Sequence, residues 1–401
     1  MKILVVHNRY RSGQPSGENS VVDDESFLLA ENGCSVEKLI VKSDEIATWS
    51  RLRKLSLPGT IVWSRRGTHL VRDAIKRVQP DIVHFHNTFP LLSPAALRVV
   101  KEMRIPVVLT LHNFRPICAA GTFLRDGRIC EECLTRRLPL PAVRHGCYRD
   151  SRVASVPLAA MIAIHRELGT WTDHVDRIVL PSMFTLGRYR AAGWPSEKLV
   201  VKYNTTRIRA DVRVGAGAGF VAVSRLTAEK GIDVLIDAWK LAFPDGSQTL
   251  SIIGAGDDAQ ALRAQGEGVK GLEFLGPLPM EEVVRRLAQA RALVMPSRWY
   301  EVFPRTVVEA YSVAVPVVAS RIGALSEVVR HGQTGLLFEP ESVDELARNL
   351  RLLAANSELA ETLGRRARED YEESFGARPT TIALIGIYRE LLNTLTPGPG
   401  R

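Results

Sequence analysis

The chain has 401 residues, 45% of them hydrophobic and 24% charged, with a formal net charge of +9. This composition describes a globular protein long enough for two domains and excludes disordered, collagen-like and polytopic membrane chains. The positive excess is uneven: residues 1–200 hold 29 Lys/Arg against 19 Asp/Glu (29 − 19 = +10), and residues 201–401 hold 24 against 25 (24 − 25 = −1). A solvated basic surface and an attraction to an anionic partner both fit the first half. A membrane surface or lipid-linked substrate fits better than nucleic acid, for which there is no recognition signature.

The chain opens on a short apolar run, Ile3 to Val6, which breaks off at His7 and Asn8. It reads as a first buried strand rather than a signal peptide, and a cytoplasmic location, peripheral to the inner face of a membrane, is expected. Strands are expected at Lys2–Val6, Val36–Val41, Ile82–Phe85, Val107–Leu111 and Arg177–Leu180, with helices such as Val21–Glu31 and His69–Val78 between them. The apolar stretch Val153 to Ile164 is too short to span a bilayer and reads as a core helix.

The alternation lapses in Arg207–Gly219, a glycine-rich linker, and then restarts. Strands are expected at Phe220–Ser224, Thr249–Ile253, Leu272–Leu275, Ala292–Met295 and Val315–Ala319. Helices are expected at Ile232–Ala242, Asp258–Ala264, Met280–Ala290, Arg305–Val313 and Leu325–His331, with a helical tail from Val343 to about Leu395. The expected architecture is α/β: two Rossmann-like domains, 1–206 and 220–378, facing a cleft. A C-terminal helix, 379–396, follows the second domain.

Several residues stand where a parallel sheet places ligands. Arg225 and Lys230 follow the first strand of the second half and suit a diphosphate, Arg as a planar fork and Lys as a point charge. Gly254 and Gly256 sit between a strand and a helix, where backbone N–H groups can approach a phosphate or simply form a tight turn. Glu301 and Glu309 have seven residues between them, a spacing repeated at Glu37/Glu45, Glu273/Glu281 and Glu361/Glu369. Only Glu301 lies just beyond a buried strand, with Pro304 at a first helical position and Glu309 in the helix that follows. No Asp-x-Asp pair is present to bridge a diphosphate through a metal.

Cys118, Cys130, Cys133 and Cys147 lie within thirty residues, and Cys130 and Cys133 have the two-residue gap of a metal pair. A closed structural zinc site or four separate thiols both fit this pattern. His84 and His86 read equally as core histidines or as site residues.

Ser16-Gly17-Glu18, Pro80 to His86, Thr110-Leu111-His112-Asn113, Arg225…Lys230, Glu301…Glu309 and Thr334 to Leu337 together resemble the retaining GT-B glycosyltransferases of the family-four group, the type that builds bacterial surface polysaccharide. The resemblance implies transfer of a sugar from a nucleotide diphospho-sugar to a glycan or lipid-linked glycan acceptor, with no cofactor required for catalysis. It implies an acceptor site in the first domain and a nucleotide-sugar site in the second, with the helix 379–396 packing back on the first, donor contacts by Gly17, Arg225, Lys230, Gly254, Gly256, Phe303, Arg305 and Glu309, and Glu301 and His112 at the transferred sugar. The chain departs from the pattern at Ser16-Gly17, at Pro304, which has no N–H to offer a sugar, and at Gly323-Ala324. A nucleotide-sugar epimerase and a non-catalytic nucleotide-sugar-binding protein are the alternative readings.

Overall fold

The computed structural model describes residues 1–10, 12, 16–208 and 212–395, with side chains to 394. The chain divides into two compact units, each described by itself. Unit 1 holds residues 1–123, 130–204 and 380–401; unit 2 holds 124–129 and 205–379. Unit 2 thus begins inside what the sequence suggests is the end of the first domain, and residues 209–211 of the expected linker and residue 396 of the expected final helix lie outside the described residues.

The strands, in chain order, are β1 (Lys2–Arg9), β2 (Ser35–Lys42), β3 (Ile82–Asn87), β4 (Val107–Thr110), β5 (Leu124–Arg125), β6 (Arg128–Ile129), β7 (Arg177–Leu180) and β8 (Leu199–Val201). They continue with β9 (Phe220–Val223), β10 (Leu250–Ile253), β11 (Leu272–Gly276), β12 (Ala292–Met295), β13 (Val317–Ser320) and β14 (Gly335–Phe338). In unit 1 the order is β2-β1-β3-β4-β7-β8, and in unit 2 it is β11-β10-β9-β12-β13-β14. Every pairing in both sheets is parallel. β3, β4, β10, β12 and β13 are buried along their whole length and are mainly apolar, since strands covered on both faces have no polar side to alternate with, His84 and His86 of β3 being the main exception.

Each sheet has one place where the strand order reverses, between β1 and β3 in unit 1 and between β9 and β12 in unit 2. The crevice outside the carboxyl ends of the strands at such a point is where open α/β sheets take ligands. Both sites described below lie at these reversals.

Several local expectations are corrected. The hairpin β5–β6 and strands β8 and β14 are additional to those expected, because their runs are short and β14 sits beside turn residues. The tail is three α-helices, Val343–Ala355, Ser357–Asp370 and Ala377–Leu395, not one. It is interrupted where the Asn356 carboxamide accepts from the Leu359 N–H, capping the second helix, and at Gly376, whose backbone is extended. The helix at Leu325 ends at Val328, and Pro304 occupies the cap position, one residue before the helix Arg305–Ser312.

The last helix contributes Leu384, Ile387, Tyr388 and Leu391 to the unit 1 core, against Ile3, Val5, Val22, Leu29 and Ile82. Unit 2 has its own core around Trp239, Phe220, Leu235, Ile252 and Phe338.

Candidate functional site

In unit 2, β9 leads into a loop that ends in a single turn, Ala228–Lys230, and Gly231 then opens the helix Ile232–Ala242. Gly231 has φ +66, and a Cβ there would lie 2.0 Å from the Pro296 carbonyl just past β12, so only glycine lets the two loops close up. Arg298 ties them further, its guanidinium donating to both carboxylate oxygens of Asp233 at 2.9 and 2.6 Å and its backbone N–H to the Glu229 carbonyl. Lys230 is thereby brought onto Glu301, Nζ donating to Oε1 at 2.6 Å. The same oxygen accepts from Ser297 Oγ at 3.0 Å and Trp299 Nε1 at 2.9 Å.

Burial pushes the Glu301 carboxyl up, but the Lys230 charge and the hydrogen bonds from Lys230, Trp299 and Ser297 outweigh it and leave the pKa below the ordinary value. The Lys230 ammonium lies over the Trp299 ring, 4.8 Å from its centroid, and the Arg225 guanidinium lies 5.9 Å from the same ring. Arg225 is half exposed and pairs with Glu229 at 3.2 Å. Two cations therefore flank one aromatic face at the sheet's reversal, an arrangement that suits a polyanion carrying a flat or polar appendage.

The backbone of Glu301 rests against Gly323, and the Ala324 N–H donates to the Glu301 carbonyl. Glu309, one turn into the helix Arg305–Ser312, is nearly covered and faces Arg305, Nε to Oε1 3.8 Å. Phe303 meets the Phe375 ring at 6.1 Å. Gly254 and Gly256 have a reason for lacking side chains that needs no phosphate: a Cβ on either would strike the backbone of the β9 loop, 1.8 Å from the Ser224 carbonyl or 2.2 Å from that of Leu226.

In unit 1 the residues at the β1/β3 reversal are largely uncharged. His86 Nδ1 and His112 Nε2 are 2.9 Å apart. His84 is a satisfied core residue, with Tyr388 OH at 2.6 Å on Nδ1 and Thr110 Oγ1 at 2.7 Å on Nε2, and burial lowers its pKa to about 3. Burial lowers His7 to about 4; its Nε2 meets Asn19 Oδ1 at 2.8 Å.

Gly17 begins the helix Gly17–Glu31, capped by Ser16. The next residue, Glu18, accepts from Tyr10 OH at 3.2 Å and Asn113 Nδ2 at 3.5 Å, and burial pushes its carboxyl up to about 8. One polar seam thus runs from Glu18 past Asn113, the neighbour of His112 in sequence.

The four cysteines are gathered around Cys133, whose thiol burial pushes up to about 11, with Cys118, Cys147 and Cys130 each adding to the shift. Among the described residues the group of three or more potential ligands whose donor atoms lie within 4.8 Å of one another is Glu25, His84 and His86, not the thiols.

Sequence reasoning singled out Arg225, Lys230, Glu301, Glu309 and His112, and missed Ser297, Trp299, Glu25 and Lys202. Trp299 was legible in principle, as a tryptophan directly after a buried strand. Glu25 and Lys202 were not, because one sits inside a helix and the other past a strand 177 residues away.

Residues 29–208 match the family described as Glycosyltransferase Family 4, and residues 209–370 match Glycosyl transferases group 1. The chain is 25% identical over 313 residues to the sulfoquinovosyl transferase SQD2 of Arabidopsis thaliana, covering 75% of this chain and 54% of that protein, and so spans about half the length of that relative. Sucrose-phosphate synthase from Thermosynechococcus elongatus shares the fold with a TM-score of 0.71 at 17% identity, over 98% of this chain and 100% of that one. Anabaena HepE in complex with UDP-glucose gives 0.62 at 19% identity, over 98% and 100%. With two parallel α/β units and two family matches that adjoin end to end, the chain belongs to the group 1 and family 4 glycosyltransferases of the GT-B fold.

Proposed function

We propose that this protein transfers a sugar from a nucleotide diphospho-sugar to a glycan or lipid-linked glycan acceptor, with the anomeric configuration retained. The observation that carries the reading is the Arg225/Lys230/Trp299/Glu301 group at the reversal of the unit 2 sheet. Cleavage of the donor builds negative charge on the leaving diphosphate, and cations already fixed in place stabilise it without reorganising. Arg225 and Lys230 fill that role. Lys230 is held by Glu301 before the donor arrives, so donor binding exchanges part of that ion pair for phosphate contacts and leaves Glu301 beside the sugar, where its carboxylate accepts from hydroxyls.

Glu309 accepts from the ribose hydroxyls, with the Arg305 guanidinium beside its carboxylate. The structure of HepE with UDP-glucose makes UDP-sugars the first donors to try. His112 meets a sugar hydroxyl, and the Glu18 carboxyl, protonated near neutral pH, offers a hydrogen bond to a polyol. Mass spectrometry of turnover over a panel of nucleotide sugars, with NMR of the product anomer, tests this. Epimerised or hydrolysed donor with no transfer to any acceptor overturns it.

A lipid-linked acceptor is supported by exposed aliphatic residues on two helices of unit 1. The short helix Arg51–Leu55 has no buried residue, and Leu52 and Leu55 are exposed between Arg51, Arg53 and Lys54. The helix Arg152–Glu167 leaves Val153 and Val156 exposed while burying Leu158, Met161 and Ile162. Exposed aliphatic side chains beside cations suit an anionic bilayer surface. No helix among the described residues is long and apolar enough to cross a membrane. The cysteine group is proposed to take a structural zinc, which would bind the sulfurs as thiolates in place of the proton that burial holds on Cys133.

A further inference from the structure

Three donors converge on one oxygen of Glu301. Oε1 accepts from Lys230 Nζ at 2.6 Å, Trp299 Nε1 at 2.9 Å and Ser297 Oγ at 3.0 Å, and among the described residues no group donates to Oε2. A carboxylate oxygen has two lone pairs, so Oε1 is saturated and the accepting capacity that Glu301 still has lies on Oε2.

The three donors differ in origin. Ser297 and Trp299 leave β12 on the same loop as Glu301, and that loop is fixed at several points: the Arg298 guanidinium on Asp233, the Arg298 N–H on the Glu229 carbonyl and the Ala324 N–H on the Glu301 carbonyl. Ser297 is 1% exposed. Lys230 reaches in from the loop after β9, on a flexible stem that crosses the Trp299 ring. A phosphate drawn to Lys230 therefore competes with Glu301 for that donor and not for the other two. With all three gone, the nearly covered carboxylate would face a burial that pushes it toward its protonated form. The neighbouring charges are engaged elsewhere, since Arg225 pairs with Glu229, Arg298 holds Asp233, and Arg305 and Glu309 face each other.

We infer that Ser297 and Trp299 form a fixed cradle that keeps Glu301 an acceptor, through Oε2 and toward the donor sugar, after Lys230 has turned to the diphosphate. Both are positioning residues that act through Glu301, and the inference rests on the proposed binding of a nucleotide diphospho-sugar at this site. It sets a requirement on the sugar. Oε2 has only lone pairs to offer, so it binds a hydroxyl through that group's own proton and gains nothing from an ether, a fluorine or a deoxy position. The indole also carries the face that Lys230 and Arg225 flank, and phenylalanine in its place keeps a ring there while losing the N–H.

The test is calorimetry of UDP-glucose binding to the full chain at pH 7 in two buffers of different ionisation enthalpy, which counts the protons taken up. The wild type is expected to bind without uptake. Ser297→Ala/Trp299→Phe is expected to take up about half a proton or more, and to lose about tenfold in affinity at pH 7 and more at pH 8.5, because binding that takes up a proton weakens as pH rises. Adding Glu301→Gln should abolish the uptake. Binding by the double variant without uptake, uptake that survives Glu301→Gln, or an affinity loss equal at both pH values overturns the cradle. A second measurement needs no ligand. In Lys230→Met the 13C carboxyl signal of Glu301, assigned by its loss on adding Glu301→Gln, is expected to be that of a carboxylate at pH 7, and a protonated carboxyl overturns the cradle. Where the double variant does not fold, this signal decides alone. If the signal is as expected and the wild type binds neither UDP-glucose nor any other nucleotide diphospho-sugar, the cradle stands and the donor reading falls.

Discussion

The two sheet reversals use the same architecture for opposite chemistry. At β9/β12 in unit 2, cations, a carboxylate and an indole converge, with Arg225 half exposed and Lys230 and Glu301 paired. At β1/β3 in unit 1 the groups are buried, mostly imidazole and amide, and the Lys202–Glu25 ion pair is sealed inside. A parallel sheet supplies a place at its carboxyl edge but no ligand preference. That preference comes from whether the loops leave charge accessible, as a diphosphate requires, or neutralise it among hydrogen-bonding groups, as a neutral polyol requires.

The largest effect that would sharpen this comparison concerns unit 1 alone. With zinc on Cys118, Cys130, Cys133 and Cys147, a strong chelator is expected to lower the melting temperature of unit 1 and leave unit 2 unchanged. Elemental analysis should find about one zinc per chain, lost in Cys130→Ser, and a metal-free preparation with unaltered melting removes the zinc from the account.

Next in size, Lys230→Ala strips a cation from the unit 2 site and leaves Glu301 nearly buried without its partner. UDP affinity by calorimetry is expected to fall by about 2 kcal/mol or more, roughly 30-fold. Glu309→Ala should also weaken UDP binding, while Glu301→Ala should mainly lower kcat. Glu273→Ala and Glu361→Ala, which share the spacing but not the place, should do neither; equal losses there would dissolve the distinction between the reversal and the rest of the unit.

A smaller effect separates the buried site by its pH response. The Glu18 carboxyl ionises near 4.5 when unfolded and at about 8 when folded. Between those values the folded chain holds a proton that the unfolded chain has released, so the contribution is fully present below pH 4.5 and is lost as pH rises through 8. Glu18→Gln is expected to flatten that part of the profile, seen as a growing stability gain over wild type between pH 5 and 9 in urea titrations. A profile with the same slope in both proteins would show that Glu18 ionises normally.

The smallest effect is on membrane association. Arg53→Glu should weaken binding to anionic vesicles at low salt by about fivefold per cation removed, and salt should abolish the difference. Equal binding to neutral and anionic vesicles would leave a soluble acceptor as the better partner.

Much of this was legible in the sequence for a physical reason. Strands buried on both faces must be continuously apolar, so β3, β10 and β12 announce themselves, and residues just past such strands are at the ligand edge wherever the fold goes. Arg225, Lys230 and Glu301 were found that way, and His112 by a resemblance between motifs. The missed strand β14 and the broken helical tail reflect competition between local signals that chain periodicity cannot rank. The cysteine spacing left a closed ligand set and four separate thiols both open, and the fold gathers the thiols around Cys133.

By itself, then, the sequence determined the two α/β units, the strand cores and the positions of the charged loops, because burial and turn chemistry act over a few residues. Only the tertiary structure decided which strand lies beside which, and so where each sheet reverses. It paired Lys230 with Glu301 across 71 positions, set Glu25 between His86 and Lys202, and joined His84 to Tyr388 across 304. A buried charge or imidazole takes its character from partners a few ångströms away, and in a parallel sheet those partners come from strands and helices far apart in the chain.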